Sequence, residues 1–195
     1  MDFTKKYLLE NERVRLEPMQ FRHQRFLEGF ASERAIWKFL LGSADGSSDF
    51  TAYFKHMMGE KSMGRQYPFA IYDKLKQCYA GSTRVYDVSE DGRSARIGHT
   101  WIGRDFWGSQ LNEHLKFLLF DWLFGPLDVQ RVGFGVHSEN HRSLGAMRKV
   151  GCIEEGRVRH MFPSLEGANA ADAVLFGMLK EEWMGTHKNQ LKQSL

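Results

Sequence analysis

The chain has 195 residues, 42% of them hydrophobic and 13% aromatic, which predicts one globular domain able to bury roughly 70% of its unfolded surface. Its 27 basic residues face 24 acidic ones and are scattered; Lys180, Lys188 and Lys192 fall in a solvated tail, which argues against nucleic acid as a partner. No apolar run approaches the ~20 residues of a membrane span, and the N-terminus MDFTKKYLLENER is charged almost throughout, so no membrane partner and a cytoplasmic location are expected.

In chain order, Arg13 to Glu17 alternates Val14 and Leu16 with charged residues, predicting a strand stopped by Pro18. Phe21, Phe26, Leu27, Phe30, Ile36, Trp37 and Leu40 predict two short helices with a break near Ser32, and Gly42 to Ser48 a flexible connection. From Asp49, the residues Phe50, Tyr53, Phe54, Met57 and Met58 recur at helical spacing and suit a core or a substrate wall. Phe69 to Tyr72, Tyr79 to Val88 and Ala95 to Ile102 are extended runs joined by turn residues, the pattern of an antiparallel meander.

After that meander the period changes. Leu111, Leu115, Leu118, Leu119 and Trp122 lie on one face of a helix that Gly125 and Pro126 end. The connecting loop, Gly103 to Gln110, leaves first-turn amides facing outward at the positive end of the helix dipole, a natural seat for a diphosphate unless Ser109 or Asn112 caps them. A Walker loop is excluded, because Ser109 and Gln110 follow Gly108 where that motif needs Lys then Ser or Thr. A Rossmann fingerprint is excluded too, since hairpins precede the loop.

Val129 to Val136 is a further strand with Gly133 and Gly135 on one face, which implies that something approaches its backbone closely. Ser138 or Asn140 caps a helix carrying Ser143, Leu144 and Met147 and stopped at Gly151. Cys152 to Met161 and Ala173 to Leu179 are the last strands, joined by the Pro163 to Asn169 loop; Trp183 closes the core, and residues 184–195 form a loose tail. Cys78 and Cys152 are expected to be reduced core thiols. His137 and His141 are spaced like a metal pair, but the helix start falls between them and no third ligand is evident, so no metal is expected.

In the segments IGHTWIGRDFWGSQLN, VQRVGFGVHSENHRSLGAMRKVGCIEEGRVRHMF and DAVLFGMLKEEW, with RVRLEPM near the start, the chain resembles the GNAT superfamily of acyl-CoA N-acyltransferases. Within it, the chain resembles the Rim-type ribosomal-protein N-acetyltransferase branch. The resemblance covers about residues 13–183 of one domain spanning 1–195. It implies an α+β fold with a mostly antiparallel, mixed seven-stranded sheet flanked by helices on both faces. It also implies acetyl-CoA as donor, CoA as product, and a primary amine as acceptor, either a protein N-terminus or a small molecule. A homodimer is common in the branch.

Carried onto this chain, the resemblance has the backbone of Trp101, Ile102 and Gly103 pairing with the pantetheine arm. Amides of Gly108, Ser109, Gln110, Leu111 and Asn112 would hold the pyrophosphate, and Asn140 the arm. Ser143, one turn from Asn140, would protonate the departing thiolate. The superfamily loop places Gln or Arg, Gly, and Gly or Ala where this chain has Trp107, Gln110 and Asn112. Gln110 thus replaces a glycine, tolerable if its φ is negative and its side chain points to solvent. This departure motivates an alternative reading, a non-catalytic acyl-CoA-binding or sensing module. For the amine's proton, His160 and Glu155 on the penultimate strand are the nearest candidate bases.

Overall fold

The computed structural model describes residues 1–40, 48–165 and 170–195. The expected Gly42 to Ser48 connection falls almost wholly outside these residues, as does the second half of the Pro163 to Asn169 loop. The strands are β1 (Leu9–Glu10), β2 (Val14–Pro18), β3 (Gln66–Asp73), β4 (Cys78–Ser89), β5 (Ser94–Ile102), β6 (Arg131–His137), β7 (Ile153–Phe162) and β8 (Ala171–Leu179). The helices are α1 (Gln24–Leu27), α2 (Arg34–Trp37), α3 (Phe50–Ser62), α4 (Leu111–Phe124), α5 (His141–Lys149), α6 (Lys180–Glu182) and α7 (Lys188–Ser194).

The eight strands form one sheet in the order β1-β2-β3-β4-β5-β6-β8-β7. The sequence yields seven because β1 is two residues long and carries no period to detect. Every neighbouring pair is antiparallel except β5 and β6, which run parallel.

Alternation along the strands separates two cores. Val85, Ala95, Ile97, Val132, Phe134, Val174 and Phe176 face α4, whose Leu111, Leu115, Leu119 and Leu123 are buried against them. On the opposite face Met19, Ala70 and Trp101 pack with Ile36, Trp37, Phe50, Tyr53, Phe54 and Met57 of α2 and α3. Asp49 starts α3 by accepting the Ala52 amide on its carboxylate at 2.9 Å.

The C-terminal residues are not a loose tail. Trp183 is fully buried, a π-helical turn follows it, and α7 lies against α4 with Leu191 buried, while Lys180 and Lys188 pair with Asp128 and Asp121. Of the two thiols only Cys152 is in the core, where burial pushes it up to about 12; Cys78 is exposed at the start of β4. Among the described residues no helix is long and apolar enough to cross a membrane.

Candidate active site

The site begins as a split in the sheet. Three parallel rungs, Ser94–Arg131, Ala95–Val132 and Arg96–Gly133, join β5 to β6, and beyond Arg96 the two strands part. From there β6 stays paired with β8 as far as His137, and β5 with β4 as far as Ile102. The β4–β5 register slips between Ser82 and Arg84, and His99 takes φ 47°, so β5 is bulged and turned away just where the split opens. Gly98 is needed at the turn, because a Cβ there would come 2.9 Å from the Tyr86 ring. The result is a groove of about 400 Å³ lined by both strand edges, the loop into α4, and one face of α5.

At one end of the groove the loop reaches α4 through two left-handed residues, Gly108 at φ 72° and Gln110 at φ 62°. The first helical bond is His114 N–H to the Gln110 carbonyl at 3.1 Å, so the amides of Leu111, Asn112 and Glu113 have no helical partner. No side chain caps this helix: Ser109 donates instead to the Phe106 carbonyl at 2.6 Å. The Gln110 side chain turns away from the groove, and its amide donates to the Ser194 carbonyl at 2.8 Å. Sequence reasoning asked for a negative φ here. The structure keeps the glycine-like backbone and parks the side chain against α7. Arg142 of α5 stacks on Trp107 with its guanidinium carbon 3.4 Å from the ring centroid, bridging the loop and α5.

Along β5 the expected backbone contacts divide. The Gly103 amide donates to the Ala80 carbonyl at 2.9 Å, so it faces β4, and the ring of Phe30 occupies the space beside Gly103. Peptide groups alternate in direction along a strand, which leaves Ile102 as the residue facing the groove. Its carbonyl accepts the Trp107 indole N–H at 2.8 Å. Trp101 presents its edge to the groove while its indole donates to the Tyr53 hydroxyl at 2.8 Å.

On the other wall, Asn140 is the N-cap of α5, its side-chain oxygen accepting the Ser143 amide at 3.1 Å. Ser143, Asn140, Trp107, Gly108, Ser109, Gln110, Leu111 and Asn112 all line the groove.

His160 is not brought to the site. It lies exposed in β7, held at φ 53° in a bulge by a 3.1 Å bond from its backbone amide to Asp172. β8 stands between β7 and β6, so a residue on the penultimate strand is one strand removed from the split. Glu155, on the same strand, pairs with Arg131.

Three groove residues escape sequence reasoning. Lys116 of α4 is only 2% exposed; burial pushes its ammonium down to about 8, and its Nζ sits 5.1 Å from the Phe134 ring centroid. Burial also pushes the His99 imidazole down to about 4, helped by the charges of Arg84, His56 and Arg96, and its ring takes no hydrogen-bond partner among the described residues. His137 lies buried between Phe39 and Phe162. Its Nδ1 accepts the Glu139 amide at 3.2 Å, which fixes Nε2 as the donor to the Pro163 carbonyl at 3.1 Å, so both ring nitrogens are engaged.

These features fit acetyl-CoA: two strand edges that part from each other and face an amide-bearing arm, then uncapped helix amides and cationic side chains for a diphosphate. Among the described residues Glu113 is the sole carboxylate lining the groove, and Lys149 neutralises it.

Comparisons with known proteins agree. Residues 13–153 match the family model described as the acetyltransferase (GNAT) domain. A curated relative, the uncharacterized N-acetyltransferase p20 of Bacillus licheniformis, is 23% identical over 178 residues, covering 91% of this chain and 98% of that protein. A GCN5-related N-acetyltransferase from Brucella melitensis superposes with a TM-score of 0.84 at 20% identity, over 97% of this chain and 85% of that one. Mycobacterium smegmatis RimJ, solved with CoA-disulfide, gives 0.76 at 21% identity over 97% and 93% of the two chains. The chain belongs to the GNAT acetyltransferase family, whose members take their acetyl group from acetyl-CoA.

Proposed function

We propose that this enzyme acetylates a primary amine, a protein N-terminal α-amine or a small amine, by direct attack of the amine on the thioester. The observation that carries this reading is the continuity of the split β5–β6 edge with the uncapped amides of Leu111, Asn112 and Glu113. The motif residues also support a place in the Rim-type branch, and the fold shared with RimJ is consistent with it.

In this reading acetyl-CoA supplies an activated acetyl group, and the chain does the rest. Amides of Gly108 to Asn112 hold the pyrophosphate, with Arg142 and Lys116 adding positive charge along the groove. The Ile102 edge and Asn140 hold the pantetheine arm. An amide on the β5 edge stabilises the negative charge that develops on the carbonyl oxygen, a contribution of roughly 3 kcal/mol in comparable sites. Ser143 hands its proton to the departing sulfur.

An α-amine with a reference pKa near ~8 is neutral far more often at pH 7 than a lysine near ~10.4, so little base strength is required. His99, which lines the groove where His160 does not, replaces it as the histidine whose ring can hydrogen-bond the water that carries the amine's proton away. The turning of Gln110 toward α7 favours this enzymatic reading over a sensing module.

Isotope-labelled acetyl transfer to a panel of peptides, amino acids and polyamines tests the proposal, with acetyl-CoA binding followed by calorimetry. Transfer to at least one amine is expected. Tight binding with no transfer to any amine would overturn it.

A further inference from the structure

Resting on that reading, the acceptor end of the groove allows its substrate class to be narrowed. On the sheet face that carries α2 and α3, the groove wall is basic. Arg84 of β4, directly opposite Gly98 in register, is 1% exposed. Its Nη1 donates to the Gln66 side chain at 2.7 Å, and its guanidinium lies 5.2 Å from the Tyr53 ring centroid. Nε and Nη2 of the same group are buried and have no partner among the described residues. A guanidinium cannot shed its charge, so this one stays a buried cation beside the groove, with Glu60 the carboxylate that feels it.

Two groups stand in front of it. His99 lies close enough to feel Arg84 electrostatically and lines the groove itself. Arg96 reaches across the split to β6, where a Cβ on Gly135 would come 2.9 Å from its Nη2. His56 of α3 adds to the same field. Among the described residues the nearby carboxylates already have cationic partners of their own. Glu60 is held by Arg65, and the exposed Asp87 stands 3.6 Å from Arg96. Glu113 is at the pyrophosphate end and is paired with Lys149.

We infer that the acceptor is an amine carrying a carboxylate within a few bonds of the nucleophilic nitrogen, seated with its carboxylate at Arg96 and His99 in front of buried Arg84. A polyamine meets the opposite situation, like charges nearby and, among the described residues, no free carboxylate to seat it. The carboxylate also points the reactive nitrogen back toward the split, because the anion is anchored on the bulge of β5. Arg84 acts as a specificity residue through its field, and Arg96 by contact.

The test uses matched acceptors with the intact enzyme: alanine against alaninamide, and a dipeptide amide beginning with Asp against one beginning with Asn, with spermidine as the polycation. Rates are referred to the neutral amine fraction of each. The carboxylate member of a pair should have kcat/KM higher by about tenfold or more, the scale of one charge-assisted hydrogen bond. In Arg84→Gln and in Arg96→Gln that ratio should fall toward one, through KM more than kcat, with acetyl-CoA binding reporting that each variant is folded. Equal rates within both pairs, or preference for spermidine, would overturn the inference while leaving amine acetylation intact. Transfer to no amine despite acetyl-CoA binding would instead overturn the proposed function, and this inference with it.

Discussion

The side-chain amide of Gln110 donates to the carbonyl of Ser194 at 2.8 Å, joining the loop that enters α4 to the last turn of α7 across 84 residues. A non-glycine residue in the left-handed region costs about 1 kcal/mol, so Gln110 holds its conformation only with support. That support is α7, anchored by Leu191 at 4% exposure. Leu191→Ala should cost about 2–3 kcal/mol in a denaturant titration and should also weaken acetyl-CoA binding, although Leu191 does not line the groove. A loss of stability with unchanged affinity would separate α7 from the loop.

Ser143→Ala should lower kcat by about tenfold or more while changing the dissociation constant of acetyl-CoA by less than about threefold, because the hydroxyl is assigned to the departing sulfur and not to ground-state binding. Its backbone amide, which closes the Asn140 cap, is untouched by the substitution. Steady-state kinetics with calorimetry separate the two effects.

Lys116 carries an opposed pair of consequences. A fully buried ammonium without a carboxylate partner is destabilising, and Lys116→Met should raise the unfolding free energy by about 1–3 kcal/mol at pH 7. The same change removes a cation from the groove, so acetyl-CoA affinity should fall. Thermal shifts measured with and without acetyl-CoA would show the variant more stable alone and less stabilised by the ligand.

The pH dependence of stability follows from His99. In the folded chain it is pushed down to about 4, below the 6.5 of a free imidazole, so between these values the unfolded chain binds more protons than the folded one. The contribution of the neutral, half-buried imidazole is therefore fully present above pH 6.5 and is lost as pH falls through that window toward 4, with a ceiling of roughly 3 kcal/mol. His99→Gln should flatten the acid limb of a stability profile recorded over that range.

The Arg142–Trp107 stack joins the loop to α5 at the pyrophosphate end. Such a contact is worth about 0.5–2 kcal/mol, so Trp107→Ala should weaken acetyl-CoA binding by about three- to thirtyfold and Arg142→Ala by a similar amount. Arg142→Ala should in addition reduce the salt dependence of binding, which Trp107→Ala should leave in place.

Much of this molecule is legible in the sequence because local periods suffice for it. Leu111, Leu115 and Leu119 announce α4, Val14 and Leu16 announce β2, and Asp49 and Asn140 stand where they cap α3 and α5. What escapes depends on the assembled sheet. Counting along the chain puts His160 near the site, but the crossover that seats β8 between β6 and β7 is a property of the topology. His99 reads as one more alternating strand residue, and only the bulge turns it into the groove. Gly133 and Gly135 correctly signal a close approach, whose agent is the Arg96 side chain from the neighbouring strand. Residues 184–195 have too few apolar positions to betray a helix, and Leu191 is the buried apolar residue that anchors α7.

Three rungs between β5 and β6 are also all the ladder that stitches the first five strands to the last three. Mechanically the sheet is two plates meeting at a short seam, backed by α4 as a common brace. A small rotation about that seam widens or narrows the mouth without breaking any other ladder. A long ligand laid in the gap rivets the plates and gives the incoming amine a fixed seat. Donor before acceptor is the order of assembly that such a hinge favours.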